Sequence, residues 1–529
     1  MIDRATISPT RLGLKSSFWV LAPLLVLAAI MLVPILADAR PGGGQTYGGG
    51  GGGSSSSGGG GGSGDGELFG LLLWIAFEHP AIGIPLLLIA GVVYVVSKRG
   101  VGQDWDSGGG LGFDPGPRQR APQAKLGDLR QIDPDFSTIL FEDFVYRLYA
   151  SAHEARNAPA KLDELAPYLD QRVREGLAAR QPSGVPIRNV VVGALRVLRV
   201  QLPSWDASAA ETQRRHPVTD EPESEVELEF EANVTAGGTE SPAQGFYLWE
   251  RWILRRPISV TTPSPERARS LACPNCGAPF RTADMQRCEY CQEVVTDGRF
   301  DWRVVAVQEL RCEPKPPALT GDNAEAGTNL PTIYDPHLPQ AWTSLASADP
   351  ALIPGAIEQR AQLIYRELNA AWVARDLRSA RGYLSDGMAD YLRYWVEAYK
   401  REGLINKLEQ MRVTGIQLVK ITRDRWYDAA TFRVFASGRD YTVRDTDGRH
   451  VSGNPSRDRA YSEYWTLIRG AGVRGAPRAG PADDAGCPNC GAPLAISMGG
   501  TCEHCSAHVS SGEFDWVLSK IEQDEVYGG

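Results

Sequence analysis

At 529 residues the chain has room for roughly two to four domains, and 43% hydrophobic with 22% charged residues is an ordinary globular composition. A net charge of −9 argues against a general nucleic-acid-binding surface. The 57 glycines are the anomaly, and many of them sit in one low-complexity run.

Residues 1–39 carry Arg4, Arg11 and Lys15, then an apolar run from Phe18 to Leu36, then Ala37-Asp38-Ala39. A positive leader, an apolar stretch and an A-x-A site make a secretory signal peptide cleaved after Ala39. The same run is long enough to serve uncleaved as a first transmembrane segment. Residues 40–66 are nearly all glycine and serine, a flexible tether that cannot bury a core. Residues 67–99 form a second apolar stretch, interrupted by Glu78-His79-Pro80. A carboxylate deep in a bilayer is costly, so Leu68–Phe77 is expected at the interface and Ala81–Val96 as the transmembrane helix. A functional intramembrane Glu78 is the sharper alternative. Lys98 and Arg99 follow at once and place that end in the cytoplasm, with the tether outside. Everything after about Gly100 is then in a reducing compartment.

Residues 100–129 are a Gly/Pro-rich linker. At Asp133-Pro134 a helix is expected to open, Asp as N-cap and Pro at its first position. Phe136, Leu140, Phe144 and Leu148 recur at helical spacing, and a second helix is expected through Leu162, Leu165, Leu169, Val173 and Leu177. The period then changes. Val190–Val200 is β-branched, and Val226, Leu228, Phe230 and Ala232 alternate with Glu225, Glu227, Glu229 and Glu231, as in a half-buried antiparallel strand. The acidic stripe is expected to face water and pair with Arg251, Arg255 or Arg303; a cation or basic-partner site is the sharper reading. Trp249–Arg256 and Phe300–Leu310 supply two more strands. After a Pro-rich connector, 312–350, the order repeats. One helix carries Ile357, Ala361, Ile364, Leu368 and Trp372, and another Leu384, Met388, Leu392 and Trp395. Strands follow at Val413–Ile421, Ala429–Ser437, Tyr461–Arg469 and Phe514–Glu522.

Within each half lies the same motif. Cys273, Cys276, Cys288 and Cys291 are answered by Cys487, Cys490, Cys502 and Cys505, both as C-x₂-C-x₁₁-C-x₂-C. Each begins C-P-N-C-G-A-P and runs on into a G-x-F-D-W tail, Gly298–Trp302 and Gly512–Trp516. Identical spacing implies a duplicated unit. Two facing C-x-x-C turns supply four thiolates in a tetrahedron, which suits Zn²⁺ and leaves no open position. Two structural zinc ions are therefore expected, in preference to redox pairs, an iron–sulfur cluster or disulfides. His504 and His508 face Tyr290 and Val294 of the first copy, so neither is expected to ligate. Cys312 is left over as an inert thiol.

The fold class that results is α+β: two tandem helix-plus-curved-antiparallel-sheet cones, 130–311 and 351–526. Each has a ribbon, 271–298 and 485–512, inserted before its last strand, and both stand behind an N-terminal membrane anchor. Three features carry a family resemblance: Ile132-Asp133-Pro134-Asp135-Phe136-Ser137, Leu165-Ala166-Pro167-Tyr168-Leu169-Asp170, and the strands after Phe300-Asp301-Trp302 and Phe514-Asp515-Trp516. With an anchor and Gly-rich leader ahead, the chain resembles a bacterial member of the Tim44-like domain family, whose cone-shaped fold is that of nuclear transport factor two. The zinc ribbons and the duplication depart from the mitochondrial members, which are membrane-bound scaffolds docking a chaperone motor on a protein translocase.

What the resemblance implies is a non-catalytic scaffold or cargo-binding protein in protein transport or membrane-protein assembly, at the cytoplasmic face of the inner membrane. Its expected partners are the membrane and a protein or peptide, with a lipid or small apolar ligand as a second occupant. An enzyme would need an acid/base pair in a cone. Asp376, Asp386, Tyr365, Tyr383 and His153 are the scattered candidates, and none makes a motif, so no catalytic or cofactor-binding residue is assigned. The ribbons mix Arg281, Arg287 and Arg299 with Asp284, Glu289, Glu293 and Asp297 in the first copy. The second has no Lys or Arg between its cysteines, a pattern unsuited to nucleic acid.

Overall fold

In the computed structural model the first long helix, α1 (Thr138–Ala155), opens at Ser137, whose Oγ accepts the Leu140 N–H at 3.3 Å. The structure describes residues 124–529 except 181, 204–220, 239–240, 269–270, 281–286, 315–318, 320–327, 476, 478–486, 488, 493–495, 498–499, 508, 513 and 525. The expected leader, tether and membrane segment with Glu78, and most of the expected 100–129 linker, lie outside these residues. No described helix is long and apolar enough to cross a membrane.

Asp133 does not cap α1. It is buried, and its Oδ2 accepts from Arg256 Nη2 at 2.9 Å, from the Thr262 N–H at 2.9 Å and from Thr262 Oγ1 at 2.7 Å. The cap signal is local, but a buried guanidinium outbids it. Nor is the leucine run after α1 one helix. It forms α2 (Pro159–Asp163), a turn, and α3 (Gln171–Ala178). The break falls where Tyr168 O accepts the Val304 N–H at 2.8 Å and the Asp170 N–H returns to Val304 O at 3.1 Å. All five leucine and valine positions are nevertheless buried in one core.

That core lies between α1–α3 and a sheet of β1 (Ile187–Gln201), β2 (Glu223–Gly238), β3 (Ser241–Pro257) and β4 (Arg303–Glu313), antiparallel in chain order. Register shifts in β1 and at two places between β3 and β4 bend the sheet around α1. The alternation of β2 is as expected: Val226, Leu228, Phe230 and Ala232 are buried under the helices. The glutamates face away and are neutralised across strands. Arg251 meets Glu227 and Glu229 at 3.3 and 3.4 Å, and Arg255 meets Glu225 at 2.9 Å. Arg303 instead holds Asp170 and Glu223, at 3.0 and 3.2 Å. The other half of the ladder, Arg196 to Glu231 at 2.6 Å and Arg199 to Glu225 at 2.6 Å, comes from β1.

The second half repeats the plan. The Pro-rich connector ends in a helix, α5 (Leu338–Ala348), followed by α6 (Ala356–Ala374) and α7 (Asp386–Arg401). The sheet runs β5 (Leu404–Arg423), β6 (Tyr427–Arg444), β8 (Arg459–Gly470), β9 (Val517–Gln523), with short β7 (His450–Gly453) on β6. Leu384 bridges Leu518 in parallel, as Leu169 bridges Val304. One buried trio also recurs. Arg256 pairs with Asp133 at 2.9 Å and lies 4.7 Å over Trp302; Arg469 pairs with Asp349 at 2.9 Å and lies 4.7 Å over Trp516.

The described residues all belong to one compact unit. The seam between its halves is apolar: Leu140 of α1 packs with Tyr427, Ala429, Ile468 and Val517 of the second sheet. Lys520 reaches Glu142 at 3.0 Å and Arg425 reaches Asp135 at 2.6 Å across it. Leu140 therefore leaves the first core, although its spacing put it on the same face as Phe144 and Leu148.

Candidate metal centres

Each cysteine quartet is made by two knuckles whose backbone turns on a left-handed residue. In the first knuckles this is glycine, Gly277 at φ +77° and Gly491 at φ +72°. In the second knuckles, where no glycine is present, Gln292 at +61° and Ser506 at +59° take the same conformation. The turns are closed alike. Gly277 N–H donates to Cys273 O at 2.8 Å and Gln292 N–H to Cys288 O at 2.9 Å; Gly491 N–H to Cys487 O and Ser506 N–H to Cys502 O both measure 2.8 Å.

The result brings all eight predicted cysteines into two groups of four, each with its sulfurs within 4.8 Å of one another. A tetrahedron of thiolates at the usual Zn–S length of about 2.3 Å has edges of about 3.8 Å. Cys273–Cys291 and Cys276–Cys288 measure 3.8 and 3.9 Å, and Cys487–Cys505 measures 3.7 Å. All nine cysteines are free of disulfides. Burial pushes the Cys273 thiol up to about 12, whereas the Asn275 side chain draws Cys291 down to about 7. Sulfurs this close ionise together only around a cation. Each quartet can hold a metal ion, and the donor set and spacing are compatible with zinc. His504 is exposed and belongs to neither group; His508 lies outside the described residues.

Both ribbons are bolted to their domains at the turn before α3 or α7. In the first, Tyr168 Oη donates to Ala272 O at 2.7 Å, and Ala166 packs with Cys273, Phe280, Cys288 and Val295. In the second, Gly500 at φ +79° has no room for a Cβ beside Ser510 and Arg381. Ser510 Oγ donates to Asp386 Oδ1 at 2.9 Å, and Arg381 pairs with the same carboxylate. Replacing Cys273 and Cys276 together with serine is expected to release one of the two metals and destabilise the first domain. Metal analysis of the purified protein checks this, and retention of both metals would sink the four-thiolate assignment.

The scattered acid/base candidates are dispersed by the fold. Asp376 is half-buried and pairs with Arg378, and Asp386 belongs to the ribbon contact. Tyr365 Oη meets Tyr461 Oη at 2.8 Å, and Tyr383 lies 4.8 Å under the Arg360 guanidinium. Of these candidates, His153 alone joins a buried charged cluster between α1 and the first sheet. Its Nε2 meets Glu250 Oε2 at 2.9 Å, its Nδ1 meets Arg156 Nη1 at 3.3 Å, and Arg180 pairs with Glu250 from the rim. Burial pushes the Glu250 carboxyl up, but His153, Arg180 and the Trp252 indole N–H outweigh it and hold it at about 2. Sequence reasoning missed Glu250 and Arg180. A signal was present in Glu250-Arg251-Trp252 and Glu463-Tyr464-Trp465, since each indole N–H donates to the glutamate two residues earlier, at 3.1 and 3.0 Å. The leftover Cys312 is half-buried, and burial pushes its thiol up.

A comparison with curated proteins finds no match for the chain. Residues 339–477, which run from α5 past the end of β8 and stop short of Cys487, match the model of the Tim44-like domain family.

Proposed function

We propose that the chain is a membrane-anchored, non-catalytic scaffold or cargo-binding protein working at the cytoplasmic face of the inner membrane, in protein translocation or membrane-protein assembly. The observation that carries this reading is the family match over residues 339–477. The first domain repeats the strand order, the helix-to-sheet bridge and the buried Asp–Arg–Trp trio of the matched one, so we assign it to the same family. The eight cysteines hold two structural zinc ions, each stapling an insertion too small to fold on a core of its own. The Gly/Pro-rich linker behind the anchor keeps both domains concentrated near the membrane.

A cone-pocket enzyme, or a binder of a lipid or small apolar molecule, is the alternative. It is favoured by the His153–Glu250–Arg180 cluster inside the first cone. Nucleic acid is the least favoured partner, given the net charge of −9 and the Arg/Glu ladder in which the first sheet's charges pair with one another. In-cell crosslinking of the full-length protein, followed by mass spectrometry, separates these readings. Reproducible capture of translocase, chaperone or membrane-assembly components is the expected result. Capture of lipid or of nothing beyond the protein itself would overturn the scaffold reading and move weight to a pocket ligand.

A further inference from the structure

Both ribbons border the seam between the domains, by routes that do not depend on the duplication. Ahead of the first quartet lies a short helix, α4 (Pro265–Ala268). Its last residue, Ala268, packs against the apolar seam around Leu140. The residue before it, Arg267, donates from Nη2 to Asn275 O at 2.9 Å and to Pro274 O, the two carbonyls inside the first knuckle. One short helix thus touches the metal turn on one side and the other domain's packing partners on the other.

The second ribbon reaches the same seam through its exit and through α7. Gly512 O accepts the Gly470 N–H at 2.7 Å, at the end of the strand that carries Ile468 into the seam. Phe514 packs on the ribbon's own core, and it lines with Trp426 an open depression of about 620 Å³; Trp426 in turn packs on the seam. Ser510 and Arg381 hold Asp386, the first residue of α7. That helix packs against β1 of the first domain, and a methyl placed on Gly387 would lie 3.9 Å from Asp143 of α1.

We propose that metal in the ribbons couples the two domains to each other, beyond stapling each insertion. With a quartet closed around its ion, the knuckle carbonyls held by Arg267 and the turn carrying Ser510 are fixed, and α4 and the start of α7 are pressed onto the seam. With a quartet open, those supports go slack. The seam around Leu140 is apolar and is flanked by the Lys520–Glu142 and Arg425–Asp135 pairs, so loss of either support loosens contacts made by the opposite domain.

Amide hydrogen exchange on the zinc-loaded full-length protein tests this, with metal content measured in parallel. Replacing Cys487 and Cys490 with serine is expected to release one zinc and to speed exchange several-fold in α1 of the first domain, where Leu140 and Glu142 meet the second sheet. Replacing Cys273 and Cys276 is expected to do the same at residues 426–430 of the second domain. Acceleration confined to the mutated ribbon and its own domain would overturn the proposal. A cysteine variant could unfold its whole domain, so a second pair decides independently. Arg267→Met and Ser510→Ala leave both quartets intact. They are expected to keep two zinc ions and still speed exchange across the seam; wild-type exchange there with both ions bound would overturn the coupling.

Discussion

Replacing Arg469 with methionine is expected to destabilise the second domain by about 3–5 kcal/mol, the usual penalty for stranding buried carboxylates. Arg469 is 1% exposed and answers Asp349 at 2.9 Å and Asp428 at 3.5 Å while lying over the Trp516 ring. Methionine fills much of the volume but leaves two desolvated charges; among the described residues, Asp428 retains Arg423 at 2.8 Å and Asp349 retains the Gly475 N–H at 3.0 Å. The methionine variant with Asp349→Asn added should recover part of the loss, because the second change removes one stranded charge. Chemical denaturation reads this as a lower midpoint at unchanged slope. A loss below about 1 kcal/mol would mean that solvent reaches the trio and the pair is worth no more than a surface ion pair. Arg256→Met is expected to act alike on the first domain, where Asp133 would keep Thr262 among the described residues.

The second large effect is expected at Glu250. Its carboxyl is held at about 2, by contacts present in the folded state alone, against about 4.3 in an unfolded chain. A depressed carboxylate contributes stability that is present above the unfolded value and is lost as pH falls through the folded one. The contribution is about 3 kcal/mol at neutral pH and drains away between about pH 4.5 and pH 2. Glu250→Gln should therefore be less stable than wild type at pH 7 by that order. The gap between the two should close as pH falls through this window, because the wild-type carboxyl gains the proton that glutamine never needed. Parallel stability curves would mean that His153 and Arg180 are neutralised by other groups. Every other acid-sensitive contribution is common to the two proteins, so the measurement is the difference between the curves.

The glutamate site shows how differently the two halves use the same scaffold. In the first, Glu250 faces a histidine and an arginine and makes a charged cluster. In the second, the corresponding Glu463 keeps its indole donor, Trp465 at 3.0 Å, while the helix above carries Tyr365, bonded to Tyr461 at 2.8 Å. Duplicated frames with divergent interiors support distinct ligands or partners for the two copies more readily than one shared ligand. Crosslinking that resolves which domain is captured would show whether this difference is used.

The amino-acid sequence by itself determined the parts of this protein whose physics is local. Four cysteines at C-x₂-C-x₁₁-C-x₂-C make two knuckles whatever surrounds them, and strict alternation in Val226–Ala232 buries one face of a strand wherever the strand is laid. Repetition of the motif with its G-x-F-D-W tail made the twofold plan visible for the same reason. Tertiary structure alone decided the parts in which a side chain had a choice of partners. Asp133 carries a cap signature, but a buried arginine 123 positions away offers more than a helix end open to water. The Leu162–Leu177 run has helical spacing, but Tyr168 O and the Asp170 N–H, on either side of Leu169, are taken by Val304 of β4 and cannot also serve a continuous helix. Leu140 sits at the right interval for its own core and is claimed by the neighbouring domain. Helical period fixes which residues share a stripe, yet not where along its edge one core ends and the next begins.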